Sequence, residues 1–200
     1  MNIQFSFASV FFFLITTSLG AQTISISLNP ETNYSYSKVF DLDSISKESL
    51  HLRINEWIAL RFNSPSEVIK FSNKEEGKLI LKPVINQTLF FDYKNVNAPV
   101  NTTITYNLTL LQKNNKYKVD INNIWVSSAG IENPLETYST DLNKIMSKLI
   151  KDGVSEKEAH VLSISQQKYN LSLHRNLENN LTELIKSLHV FISNNTKDDW

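Results

Sequence analysis

The chain has 200 residues, of which 41% are hydrophobic and 20% charged, and its 20 basic residues balance its 20 acidic ones. This composition is typical of a packed domain, excludes a wholly disordered chain and disfavours nucleic acid or an anionic membrane as a partner. The lack of cysteine excludes disulfides, thiol catalysis and cysteine metal sites.

The first residues predict an export signal. An uncharged apolar run from Phe5 to Leu19 precedes the small residues Gly20 and Ala21. The run is shorter than the ~20 apolar residues that span a bilayer, so we assign residues 1–21 to a cleaved signal peptide. The lack of a basic residue before the run leaves an uncleaved anchor as the alternative. We expect no membrane span after signal removal and a periplasmic or secreted mature protein.

Residues 22–37 are polar, with alternating Ile24, Ile26 and Leu28, and predict an edge strand or a loose N-terminal arm. A helix is predicted from about Ser44 to Phe62, because its apolar residues repeat at helical spacing. Pro65 excludes helical geometry for Ser64 and so ends the helix before a strand.

Short strands follow the helix. Val68 to Phe71 and Lys78 to Leu81 flank a turn at residues 73–77, where Gly77 provides the positive φ. Pro83 cannot donate to a strand ladder, so the second strand lies at an edge or ends there. Leu89 to Tyr93 forms a further predicted strand.

The segment from Thr102 to Val126 predicts an antiparallel hairpin, because Asn114 and Asn115 tolerate the left-handed turn conformation. On its apolar side the register pairs Leu110 with Val119, Leu108 with Ile121 and Ile104 with Trp125. On its polar side it pairs Thr109 with Asp120, Asn107 with Asn122 and Thr105 with Ile124. The candidate binding residues are those of the polar side: Thr103, Thr105, Asn107, Thr109, Lys118, Asp120 and Asn122.

Two helices are predicted in the C-terminal region, residues 133–200. The first begins at Asn133–Pro134 and ends at Gly153. The second begins at the capping box Ser155–Glu158 and runs to about Ser193. Its apolar stripe, Leu173 to Phe191, indicates packing within the chain, with the preceding helix or the sheet, or self-association with a second copy.

This order of elements resembles a bacterial family of unknown function that is described as having a TATA-binding-protein (TBP)-like fold. The residues that carry the resemblance are Glu56–Ile58 and Phe62, Ser66–Ile69, Glu76–Ile80 and the hairpin Tyr106–Val126. The resemblance covers roughly residues 38–126 and implies an exported protein of the Gram-negative envelope. It also implies an α+β fold, a curved antiparallel sheet with helices on one face, which we place at residues 38–132. The turn departs from the family's Asp-Gly followed by Arg-Tyr, since Asn114–Tyr117 stands there, and no catalytic residue carries over.

No catalytic or metal motif stands out. Glu156 and His160 are four residues apart, but a zinc site needs three or four converging ligands, so solvated helix histidines are the favoured interpretation. Ser127–Gly130 lacks the glycine that precedes a nucleophilic serine and is interpreted as a strand-to-helix loop. The neighbouring carboxylates Glu75 and Glu76 lie in a predicted turn. We therefore expect no cofactor and no catalytic site.

These observations predict a non-enzymatic envelope protein that binds another envelope protein or a glycan through the polar side of its sheet or an edge strand. Two alternatives remain: an envelope enzyme of unrecognised type, such as a hydrolase, and a structural protein that self-associates through its C-terminal helix. A broad, shallow sheet favours binding, whereas a deep cleft with histidine or paired carboxylates favours an enzyme.

Overall fold

The computed structural model describes residues 24–194, which form an α+β fold around one antiparallel sheet of seven strands. The strands are β1 (Tyr36–Asp41), β2 (Ile69–Asn73), β3 (Lys78–Leu81), β4 (Val84–Tyr93), β5 (Val96–Lys113), β6 (Lys116–Ser128) and β7 (Ile131–Pro134). The helices are α1 (Lys47–Arg61), the single turn α2 (Pro65–Val68), α3 (Leu142–Lys151) and α4 (Glu156–Asn194). The predicted signal peptide, residues 1–21, lies outside the described residues. None of the helices in residues 24–194 has the length and hydrophobicity needed to cross a bilayer.

The β5–β6 hairpin forms the centre of the sheet. β5 pairs with β3, β4 and β6, and β6 also pairs with β1 and β7. The predicted pairs Leu110–Val119 and Leu108–Ile121 are confirmed, and all four side chains are fully buried. The predicted apolar side of the hairpin is therefore the core face of the sheet.

The hairpin turn also holds the start of α1. Asn115 adopts a left-handed conformation with φ of 60°, and its Oδ1 accepts a hydrogen bond from the Ile45 N–H at 2.9 Å. Asn114 Oδ1 accepts a second one from the Lys47 N–H at 2.9 Å. The two turn residues thus satisfy backbone donors just before and at the first turn of α1.

Helix α1 confirms the predicted helix and buries its Trp. Ser46 caps it, and its buried face comprises Leu50, Ile54, Trp57 and Ile58. The Trp57 indole N–H donates to Ser187 Oγ of α4 at 2.9 Å, so its one polar atom is satisfied at the margin of the core. Contrary to the prediction, the chain makes the extra turn α2 after Ser64 before β2 begins.

Helix α4 and the N-terminal arm cover the core face. The stripe from Leu173 to Leu188 is buried in the same core as the hairpin, with Phe191 packed at its margin. The stripe thus packs within its own chain and is not left on the surface for a second copy.

The predicted arm is neither a strand nor loose. Ile24, Ile26 and Leu28 are buried, and the N–H groups of Ile26 and Leu28 donate to Thr182 Oγ1 and Glu178 Oε1 at 3.0 and 2.8 Å. The arm is therefore tied to α4 through side chains rather than paired with the sheet.

Other predicted boundaries need correction. β1 begins at Tyr36, before the predicted start of the domain at residue 38, and β4 is longer than the predicted strand Leu89–Tyr93. The helix predicted from Pro134 begins only at Leu142, because Asp141 caps it through the N–H groups of Asn143 and Lys144. Ser127–Gly130 leads into β7 as a hairpin rather than into a helix, because Ala129 and Gly130 both have positive φ.

The turn residue Asn115 provides a test of this organisation. Asn115→Gly keeps the left-handed backbone but loses the hydrogen bond to Ile45, so we expect a loss of about 1 kcal/mol in unfolding free energy. Asn115→Ala adds the strain of a side chain in that conformation, about 1–2 kcal/mol more. Urea unfolding measures both. Equal stability of the two variants would contradict the role assigned to the turn conformation.

Because of His189, we expect the folded protein to lose stability at acidic pH. Burial, and then the nearby Lys38 ammonium, lower the pKa of His189 below its usual 6.5, and its Nδ1 lies 3.1 Å from the Tyr117 hydroxyl. The unfolded chain binds a proton more readily than the folded one, so stability should fall as pH drops below about 6.5. His189→Gln should lose less stability between pH 7 and pH 5 than the wild type in urea unfolding. Parallel pH profiles would contradict this contribution.

Candidate binding face

The open face is the side of the sheet opposite the helices. The Leu and Ile residues buried by α1 and α4 all lie in the core on the other side. The seven predicted residues (Thr103, Thr105, Asn107, Thr109, Lys118, Asp120 and Asn122) are half-buried or exposed and alternate with buried neighbours on their strands. The structure thus brings all seven to the open face.

A β-bulge changes this face from the one predicted. Asn107 pairs with Asn122 as predicted, but Thr105 pairs with Trp125 instead of Ile124, so β6 has one extra residue there. Asn123 has φ of 52°, a left-handed conformation that accommodates the extra residue. The predicted pairs Ile104–Trp125 and Thr105–Ile124 are therefore wrong.

The consequence of the bulge is that Trp125 lies on the open face. Its side chain is 36% exposed, whereas Ile124 and Val126 are buried. Its indole N–H donates to Asn123 Oδ1 at 2.9 Å, so the bulge residue also orients the ring. The sequence contains a sign of this bulge. The apolar residues of β6 change from an odd-numbered position, Ile121, to an even-numbered one, Ile124, as an extra residue requires.

The open face is also more apolar than predicted. Phe71 lies opposite Ile80, which lies opposite Thr109, and Val39 lies opposite Lys118. The exposed large apolar side chains of this face are Val39, Phe71, Val84, Phe90 and Trp125. The sequence placed none of these five there, since their side of the sheet depends on how β1, β2 and β4 connect to β5 and β6, which was not predicted, or on the bulge.

An ion pair and a cation–π contact lie on the open face. Lys118 Nζ lies 2.8 Å from Asp120 Oδ1, and Lys78 lies over the Phe71 ring at 5.8 Å from its centre. Because Asp120 neutralises Lys118, the part of the face around Thr109 and Trp125 offers mainly apolar contacts and neutral hydrogen bonds.

Several polar groups of the face are free to bind. The Thr103 hydroxyl donates a hydrogen bond to Asn86 Oδ1, and the Thr88 hydroxyl donates one to Asn101 Oδ1. The side chains of Thr105, Asn107, Thr109 and Asn122, in contrast, make no hydrogen bond within residues 24–194. These hydroxyls and amides border Trp125 and the Phe71–Ile80 pair.

The residues considered for metal binding or catalysis do not converge. In the described part of the chain, no three His, Asp or Glu side chains lie close enough to hold a metal ion. His51 makes a hydrogen bond with Gln112, His174 with the Tyr138 carbonyl and His189 with the Tyr117 hydroxyl. Glu75 and Glu76 lie in the exposed β2–β3 turn.

A cleft of about 560 Å³ lies between α3, α4 and the segment after β7. Lys144, Lys148, Glu136 and Asp152 line it and supply two charges of each sign. Buried Asn170 closes it by donating to the Ser139 carbonyl at 2.6 Å. The cleft contains no histidine, and its carboxylates come from different elements.

Comparison with known proteins agrees with this architecture. Residues 36–127 match the model of a family described as a domain of unknown function (DUF4468) with TBP-like fold. We call this matching region, residues 36–127, the DUF4468 domain. Its limits, the start of β1 and the end of β6, agree with the resemblance seen in the sequence.

One solved structure shows the same fold at low sequence identity. A DUF4468 family protein from Bacteroides ovatus ATCC 8483 has 14% identity and a TM-score of 0.52, over 83% of this chain and 88% of that chain. A TBP-like protein from Parabacteroides distasonis ATCC 8503 has 14% identity and a TM-score of 0.44, over 78% of this chain and 92% of that chain. No curated protein matched. The open face thus belongs largely to the DUF4468 domain, while α3 and α4 follow it.

The bulge residue of the DUF4468 domain can be tested by substitution. Asn123→Gly should preserve the bulge, whereas Asn123→Val should destabilise the protein by about 1–2 kcal/mol, because a β-branched residue strongly disfavours positive φ. Asn107→Val, on the facing stretch of β5, is the control and should be tolerated. If Asn123→Val were as stable as this control in urea unfolding, the assigned left-handed geometry would be wrong.

Proposed function

We propose that this chain is an exported envelope protein that binds another protein through the open face of its DUF4468 domain, without catalysing a reaction. The observation that carries this proposal is Trp125, which the bulge holds on the open face. Export is supported by the uncharged apolar run from Phe5 to Leu19 and the small residues after it.

A protein partner fits the face better than a glycan does. A sugar-binding surface needs an aromatic ring beside hydrogen-bonding groups, which Trp125 and Thr105 could supply. The face, however, also exposes the aliphatic Val39 and Val84 and the distant Phe71. Protein interfaces are enriched in aromatic residues and depleted of charge at their centres, and they use apolar contacts over a wide area.

The neutral character of the face narrows the class of partner. The chain as a whole has 20 basic and 20 acidic residues, so it offers no net attraction for nucleic acid or another strongly charged ligand. We therefore expect a partner whose contact surface is apolar with neutral polar groups, and whose affinity depends only weakly on salt.

The test is recovery of the partner from the native periplasm. Cross-linking and pull-down with the full protein should enrich one protein, and Trp125→Ala should weaken its binding by about 30-fold or more, as for a central aromatic hot spot. Leu60→Ala is the matched control, since Leu60 is 78% exposed on α1 and should leave binding unchanged.

The outcomes separate the alternatives. Enrichment of a polysaccharide instead of a protein would replace the protein partner with a glycan. Binding that survives Trp125→Ala but is lost in Lys144→Ala would move the site to the cleft and overturn the proposal. No enriched partner in the periplasm would also contradict it.

A further inference from the structure

The cleft beside α3 is a second concave surface, separate from the open face. It lies between α3, α4 and the segment after β7, and all its lining residues follow the DUF4468 domain, which ends at residue 127. Its volume of about 560 Å³ falls in the range of small-molecule sites, about 300–1,000 Å³. The cleft therefore has room for a small ligand.

Helix α4 holds the wall of the cleft formed by residues 138–140. Three of its side chains donate hydrogen bonds to the three successive backbone carbonyls of this wall, at 2.6–2.9 Å: His174, Asn170 and Gln167. Directly after the wall, Asp141 caps α3, which forms the facing wall. The cleft is thus preformed, and a ligand need not order either wall when it binds.

Four charged side chains line the cleft without pairing with one another. Lys144 and Lys148 are four residues apart on α3, so they lie on the same side of that helix. Glu136 belongs to the opposite wall, and Asp152 is the C-cap of α3. Within residues 24–194 none of the four forms an ion pair. Two ammonium groups and two carboxylates are therefore available to a ligand.

We propose that this cleft binds a short peptide in its zwitterionic form, with a free amino end and a free carboxyl end. A purely anionic ligand would meet the carboxylates of Glu136 and Asp152, and a purely cationic one would meet the ammonium groups of Lys144 and Lys148. Like charges brought together in this way disfavour binding. A zwitterion instead meets the opposite charge at both ends and forms charge-assisted hydrogen bonds there.

The rest of the lining suits a peptide better than a single amino acid. Gln166 Nε2 donates to Asn170 Oδ1 at 2.9 Å, whereas Gln166 Oε1 accepts no hydrogen bond in the described part of the chain. This oxygen can accept the N–H of a peptide bond, which a single amino acid lacks. Ile145 and Leu149 give the α3 wall apolar surface for a ligand side chain.

Calorimetric titration of the full protein with leucyl-leucine tests the site. We expect saturable binding of one dipeptide per chain, with a dissociation constant below about 1 mM. The N-acetyl form lacks the ammonium group and the C-terminal amide lacks the carboxylate. Each should bind at least about fivefold more weakly, because each loses its charge-assisted hydrogen bonds.

Variants of the lysines test which wall holds the carboxylate. Lys144→Met/Lys148→Met keeps most of the apolar stems and removes both charges. It should weaken leucyl-leucine at least about fivefold and leave the affinity for its C-terminal amide unchanged, because the amide has no carboxylate to lose. Lys151→Met, on α3 but outside the cleft, is the control and should change neither affinity.

Variants of the carboxylates test the other end. Glu136→Gln/Asp152→Asn should weaken leucyl-leucine at least about fivefold and leave the affinity for the N-acetyl form unchanged. Glu132→Gln, on β7 and outside the cleft, is the control. Because each variant is compared with two ligands, a general loss of folded protein would lower both affinities and is told apart from the loss of one charge contact.

Three results would overturn the proposal. They are no saturable binding of leucyl-leucine at its highest soluble concentration, binding that neither double variant weakens, and equal losses for the charged and the blocked dipeptides. Trp125→Ala, on the open face, should leave the titration unchanged. The peptide site and the open-face proposal can therefore fail independently.

Discussion

The alternation of β5 is the constraint on which the other elements depend. From Thr102 to Gln112 every second side chain is buried, and the residues between them are half-buried on the open face. Since β5 pairs with three strands, its alternation determines which side of each neighbour faces the core. A slip of one residue would bring Leu108 and Leu110 to the surface, at a cost of about 1.5–3 kcal/mol for each side chain.

One face of the sheet remains open because the apolar surfaces of the helices pack against the other face. The stripe of α4, the buried face of α1 and the arm at Ile24–Leu28 all pack into the same core. The arm also has its backbone donors satisfied by Thr182 and Glu178, so it is fixed to α4. The open face is thus left to side chains that tolerate water, with a few exposed apolar residues among them.

The sequence predicted the elements whose signals are local. The turn at Asn115, the length of α4 and the burial of Trp57 follow from turn chemistry and apolar spacing, and each is confirmed. The predicted start of α3 was wrong. Pro134 is acceptable as a first helical residue and was taken as the start, but the chain uses Asp141 as the cap. β1 was not identified as a separate strand, since its partner β6 lies about 80 residues away and such pairing leaves no local pattern.

For the open face, too, the local signals were predicted correctly and the distant pairings were not. All seven predicted residues lie on it, because alternation in a hairpin of known turn assigns their side. Phe71 and Val39 were missed because their side depends on pairing with β3 and β6. Trp125 was assigned to the wrong side because the register was extended from Asn115 without a bulge, although the spacing of Ile121 and Ile124 indicates one.

Two departures from the rules of a stable sheet expose apolar side chains on the same face. The left-handed Asn123 turns Trp125 outward, and the register of β4 on β5 leaves Phe90 57% exposed on the open face. Neither feature helps an isolated chain, since a regular β6 would bury the Trp and a polar side chain would suit the exposed position of Phe90 better. Departures of this kind are expected where contacts with other molecules, rather than the stability of the single chain, constrain the sequence. The exposed Trp125 and Phe90 therefore support the proposal that the open face contacts another protein.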